Sequence, residues 1–126
     1  MRLCPVCNQM LREDHVDSIT VDGCPNCGGV WFDYGELTAL ARTHPLAMSM
    51  LDGRFRNPMG PPPPPGFSRR CPVCSLPLEE QELRAAPGIR VDGCRRCKGI
   101  WLDDGELTAL QKLVAERGAK GQGPGR

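Results

Sequence analysis

Four cysteine pairs, each enclosing two residues, constrain this chain more than any other feature: Cys4/Cys7, Cys24/Cys27, Cys71/Cys74 and Cys94/Cys97. Two cysteines three apart on a tight turn present both sulfurs to one ion. Two such turns facing each other complete a tetrahedron with Zn–S of about 2.3 Å. The spacer between knuckles is 16 residues in the first half (Asn8 to Gly23) and 19 in the second (Ser75 to Gly93), and both lengths suit a Cys4 zinc site. Segments of about 40 residues bury too little apolar surface to offset their conformational entropy, so they need such a staple. Composition agrees: 15 Gly and 13 Pro against only 5% aromatic residues argue against one large core.

The competing use of eight cysteines is a disulfide framework. Met1 to Cys7 lacks the apolar run of a secretory leader, and no stretch approaches membrane-spanning length. The expectation is therefore a cytoplasmic chain with no membrane partner, reduced thiols and two structural Zn2+ ions. Cys4, Cys7, Cys24 and Cys27 would hold one ion, and Cys71, Cys74, Cys94 and Cys97 the other. Four protein ligands leave no open coordination position, which marks a structural rather than a catalytic site. Iron is the nearest rival, because Cys24-Pro25-Asn26-Cys27-Gly28 resembles a rubredoxin knuckle. The second copy lacks that glycine, and zinc is favoured. Redox catalysis by a C-x-x-C pair needs a βαβ scaffold that this pattern does not build.

The chain is a tandem repeat. Val21-Asp22-Gly23-Cys24 recurs as Val91-Asp92-Gly93-Cys94. Trp31, Asp33, Gly35, Glu36, Leu37 and Leu40 return as Trp101, Asp103, Gly105, Glu106, Leu107 and Leu110, seventy residues on. The leading knuckles Cys4-Pro5-Val6-Cys7 and Cys71-Pro72-Val73-Cys74 are offset by sixty-seven, so the second copy carries three extra residues between its knuckles. The fold class expected is a pair of small metal-stabilised zinc ribbons, each with short antiparallel strands and a C-terminal helix, joined by a Pro-rich linker. Residues 1–44 form the first ribbon, 45–70 the linker, 71–117 the second ribbon, and 118–126 a disordered tail. Pro61 to Pro65 favour polyproline II and read as a semi-rigid spacer.

Within each copy, strands are expected at Ser18–Val21 and Ile89–Val91, and at Val30–Phe32 and Ile100–Leu102. Asp33 with Glu36, and Asp103 with Glu106, read as capping boxes that start a helix with Asp as N-cap. Leu37 and Leu40 share one helix face, as do Leu107, Leu110 and Val114. The first helix should stop before Pro45 and the second near Gly118. Proline at Cys4-Pro5 and Cys24-Pro25 pre-sets the turn, and Gly28 supplies a positive φ. Arg95 and Lys98 take the places of Pro25 and Gly28, which predicts a more strained knuckle and a weaker zinc site in the second copy.

Asp22, Asp33 and Glu36 read as turn, cap and surface residues rather than catalytic acids, since no nucleophile or histidine repeats beside them. No enzyme activity and no small-molecule substrate are expected. Trp31 and Trp101 are expected to pack helix against ribbon. Arg69, Arg70, Arg90, Arg95, Arg96 and Lys98 gather around the second pair of knuckles as candidate nucleic-acid contacts. The alternative is that they balance the −2 charge of a zinc tetrathiolate. Formal net charge is +1, and two such sites bring the loaded chain to about −3, which offers no general argument for polyanion binding.

The string C-P-x-C…V-D-G-C-x-x-C-x-G-[VI]-W-[FL]-D-x-G-E-L resembles the bacterial transcription-factor zinc-finger family of TFIIB-like zinc ribbons. The resemblance covers roughly residues 4–42 and 71–114. It implies a ribbon fold with the eight cysteines as zinc ligands. The family's transcription label derives from ribbon similarity, so fold and metal are strengthened far more than function. The expected role is an adaptor whose paired ribbons bind a protein partner. Nucleic-acid or transcription-machinery binding through the second ribbon is the alternative.

Overall fold

The computed structural model describes residues 2–44, 46–51, 69–83, 89–103 and 106–121. The expected Pro61–Pro65 spacer lies outside them. The first copy builds β1 (Arg12–Val16), β2 (Ile19–Gly23), β3 (Val30–Phe32) and α1 (Glu36–Thr43), followed by α2 (Ala47–Leu51). The second repeats the pattern as β4 (Glu79–Glu82), β5 (Arg90–Gly93), β6 (Ile100–Leu102) and α3 (Glu106–Gly121).

The two ribbons do not hang apart. Their strands form one six-stranded antiparallel sheet in the order β1-β2-β3-β6-β5-β4, with β3 and β6 joined at the centre. Val30 lies opposite Leu102, Trp31 opposite Trp101, and Phe32 opposite Ile100. The register is symmetric about the tryptophan pair, so a pseudo-two-fold axis passes through it and makes the interface isologous.

Alternation along these central strands divides the molecule into layers. Val30 and Phe32, with Ile100 and Leu102, face the helices and join Val21, Val91, Leu37, Leu40, Leu107 and Leu110 in one core. Trp31 and Trp101 face the opposite way and pack among the cysteines. They therefore do not pin helix to ribbon as expected; they pin ribbon to ribbon. Each is fully buried, and burial of an indole removes enough apolar surface to contribute about 4 kcal/mol. Both faces of β3 are covered, which is why its three residues run apolar without a polar break.

Two features of the helices have physical causes. Within the segment expected as linker, Pro45 to Leu51 reads from sequence as a short helical turn; residues 47–51 form that helix, which docks on α3 and buries Met48 and Leu51 in the shared core. The second helix runs through Gly118 to Gly121, so the first four residues of the expected disordered tail continue α3; an internal glycine costs only about 1 kcal/mol in a helix. The outer strands β1 and β4 carry almost no apolar pattern (REDHV and EEQE), because they are solvated sheet edges. The three extra residues of the second copy fall between β4 and β5.

Close approach across the β3–β6 junction requires glycine at two mirrored places. A Cβ on Gly29 would sit 2.1 Å from Cζ2 of Trp101, and one on Gly99 the same 2.1 Å from Cζ2 of Trp31. Gly29→Ala or Gly99→Ala should each destabilise the loaded protein by about 2 kcal/mol, through overpacking at a rigid ring. Thermal unfolding followed by circular dichroism should then show a midpoint lowered by on the order of 10 °C. A midpoint within a degree or two of wild type would contradict the packing.

Candidate metal centres

Each knuckle is the same piece of backbone. The N–H of the residue after the second cysteine donates to the carbonyl of the first: Asn8 to Cys4, Gly28 to Cys24, Ser75 to Cys71 and Lys98 to Cys94, at 2.9–3.0 Å. The N–H of that first cysteine in turn donates to a carbonyl five residues on, at Gln9, Gly29, Leu76 and Gly99. Backbone N–H groups point inward at the sulfurs. Val6 and Cys7 donate to Cys4 Sγ at 3.3 and 3.4 Å, and Val73 and Cys74 to Cys71 Sγ at 3.3 and 3.2 Å. Such donors stabilise thiolate over thiol.

The turns bring together the sulfurs that the spacing assigned to one ion. Within each group, Cys4, Cys7, Cys24 and Cys27 or Cys71, Cys74, Cys94 and Cys97, all four Sγ atoms lie within 4.8 Å of one another. Cys7 Sγ lies 3.3 Å from Cys24 Sγ, and Cys4 to Cys27 and Cys71 to Cys97 are each 3.6 Å apart. A regular tetrahedron with Zn–S of about 2.3 Å has S···S edges of about 3.8 Å, so the donor sets fit the ion. As thiols, the sulfurs make conflicting demands. Hydrogen bonds from Cys27 and Cys4 draw Cys24 down to about 2, while Cys27 is pushed up to about 12 by its bond to Cys24. In the second group, burial pushes Cys71 up to about 12, whereas the N–H groups of Cys97 and Arg96 draw Cys94 down to about 7 against its burial. A central dication removes the conflict by taking all four as thiolates. The two Cys4 groups are zinc sites, one in each ribbon.

Beside each site lies an ion-pair network that sequence reasoning missed. Arg2 Nη1 reaches Asp22 at 2.7 Å and Asp33 at 2.9 Å, and the other oxygen of Asp33 accepts the indole N–H of Trp31 at 3.1 Å. The second ribbon repeats it: Arg69 pairs with Asp92 and, at 2.9 Å, with Asp103, which accepts from Trp101 Nε1 at 3.0 Å. Burial pushes the Asp22 carboxyl up, and the Arg2 guanidinium opposes that shift. The recurring W-x-D thus places indole and carboxylate on one side of the strand end. The sixty-seven-residue offset that aligns the leading knuckles also aligns Arg2 with Arg69, and was the signal available for the pairing.

This network corrects the capping reading. In the first copy the helix begins at Glu36, with Gly35 rather than Asp33 at the N-cap and no side-chain cap hydrogen bond. Half of each box exists, since Glu36 and Glu106 accept from the N–H of Asp33 and Asp103 at 2.9 and 2.7 Å. The aspartate side chains turn instead to arginine and tryptophan. Of the candidate nucleic-acid contacts, Arg69 is held inside its ribbon. Arg70 donates to the Ser75 carbonyl at 3.0 Å, and Arg95 lies 3.3 Å from Glu79. Arg96 and Lys98 are exposed on the fourth knuckle, and Arg90 lies on β5.

The profile described as "Transcription factor zinc-finger" matches residues 3–43 and again residues 70–112, so it takes in both sites and most of the chain. The protein belongs to this zinc-ribbon family. No curated protein and no solved structure gives a significant match. No helix among the described residues is long and apolar enough to cross a membrane.

Because structural zinc in small modules supplies about 10–16 kcal/mol of apparent binding energy, its removal should unfold both ribbons. Circular dichroism before and after a strong chelator should lose its strand and helix signal, and an unchanged spectrum would refute this. All four post-cysteine residues have positive φ: Asn8 at 62°, Gly28 at 82°, Ser75 at 63° and Lys98 at 66°. Lys98 takes the conformation that glycine adopts freely, at a cost of about 1 kcal/mol. Lys98→Gly should therefore tighten the second site about fivefold, measured by competition with a chromophoric chelator. Equal or weaker affinity would show that no strain is stored there.

Proposed function

We propose that this protein is a non-enzymatic interaction module that uses its fused ribbons to bind a protein partner. The observation that carries the reading is the surface where the leading knuckles of the two ribbons meet. Leu3, Pro5 and Asn8 from one ribbon and Arg70, Pro72 and Ser75 from the other line a shared groove of about 230 Å³. Several large apolar side chains are exposed on or next to these leading knuckles in the chain. Leu3 lines the groove, Met10 lies opposite Leu3 in a β-bridge, and Val73 and Leu76 stand on the second leading knuckle. Exposed apolar groups on the knuckles that form a concave surface suit a protein contact better than a phosphate backbone. The closed Cys4 sites offer no place for substrate, and the recurring aspartates are engaged by arginine and tryptophan.

Nucleic-acid binding is the second reading, favoured by the exposed Arg95, Arg96 and Lys98 on one knuckle. The two readings separate in one experiment. The tagged full chain is purified from its own cells with and without nuclease, beside a Leu3→Asp, Val73→Asp double variant and an Arg95→Ala, Arg96→Ala double variant. Partners should survive nuclease and moderate salt, and be lost only with the aspartate variant, its zinc content unchanged. Recovery of nucleic acid that depends on the arginines and collapses with salt would replace the proposal with the alternative.

A further inference from the structure

We propose that the two zinc sites load and release their ions cooperatively, because the tryptophan of each ribbon supports the second knuckle of the other. Trp31 belongs to the first ribbon, yet its ring lies against Gly99, so close that a Cβ there would fall 2.1 Å from it. Gly99 is the residue whose carbonyl accepts the Cys94 N–H at 3.0 Å and closes the turn carrying Cys94 and Cys97. Trp101 does the same for the first ribbon: its ring lies against Gly29, whose carbonyl accepts the Cys24 N–H at 2.9 Å. Both indoles and cysteines of both sites share one buried cluster.

Chain connectivity and side-chain contacts together link one Cys4 group to the other. Cys71 follows Arg69 and Arg70 in the chain, and Arg69 holds Asp103. Asp103 accepts the indole N–H of Trp101, and the ring of Trp101 backs Gly29 and so the Cys24 turn. The pseudo-two-fold axis supplies the same path in reverse, from Cys4 through Arg2, Asp33 and Trp31 to Gly99 and Cys94. Proximity alone does not make coupling; a two-state element biased by both sites does. That element is ribbon folding itself, since such a module folds as it binds metal. The first ion folds one ribbon and leaves its indole and its β3 or β6 edge without the opposite half. The second ion completes that surface and therefore binds with the added free energy of the junction.

The test is zinc titration of the metal-free full chain, read by native mass spectrometry at one equivalent of zinc. Identical independent sites leave about half of the chains with one ion, and unequal independent sites leave more. The one-ion species should instead fall well below half, with metal-free and two-ion chains dominating. A one-ion fraction at or above half overturns the proposal. A second measurement removes the possibility that slow exchange decides the result. In the Cys94→Ser, Cys97→Ser variant only the first site can fill, and its affinity in chelator competition should fall at least about tenfold from the wild-type mean. An affinity within about twofold of that mean would equally overturn it.

Discussion

Four thiolates held within a few ångströms repel one another unless a dication sits among them, and each ribbon is arranged to make that ion the cheapest solution. The knuckle backbone directs N–H groups at sulfur, and the left-handed residue after each second cysteine turns the chain back in time to do so. From the first knuckle the chain enters a hairpin, from the second a short apolar strand and then a helix. The metal therefore does more than add stability at one end of the module. It fixes the directions in which the strands leave, and with them which residues meet at the centre of the sheet.

That centre is where a weak unit becomes a stronger one. One ribbon has a two-sided apolar strand, Val30-Trp31-Phe32, at the edge of its own three strands, with both faces needing cover and its hydrogen-bonding edge unpaired. Alone it would be the exposed edge that soluble proteins avoid. Pairing with Ile100-Trp101-Leu102 satisfies backbone and side chains together. The helices then cover one face and the zinc knuckles the other, so the six-stranded sheet ends in the charged, solvated strands β1 and β4.

Much of this was legible in the residues, for definable reasons. Ligand spacing is a local geometric property, so the eight cysteines could be grouped correctly from sequence distance alone. The strands Val30–Phe32 and Ile100–Leu102 announced themselves by continuous apolarity. The roles of Trp31 and Trp101 did not, because an indole between zinc knuckle and sheet has the same sequence neighbours as one between helix and sheet. Asp33 misled in a similar way: spacing to Glu36 suggested a cap, but its oxygens went to an arginine thirty-one residues earlier and to the indole two residues before. Arg2 and Arg69 were hidden by lying outside the knuckles, although the repeat register aligned them. Whether the ribbons would join at all depended on the fit of two glycines to two rings, a contact no periodicity reveals.

The tie between the halves is covalent as well as packed, and this frees the pseudo-symmetric interface from a rule that binds true dimers. In an assembly of identical chains every substitution appears on both sides of the axis, and a partner meets two equivalent faces. Here the second knuckle carries Pro25, Asn26 and Gly28 while its counterpart carries Arg95, Arg96 and Lys98. One half retains a relaxed, uncharged turn, and the other has traded backbone ease for three cations. The result is a body with a nearly symmetric skeleton and a polar axis drawn on its surface. Any macromolecule that senses charge meets two distinguishable ends, and so can dock in one orientation only.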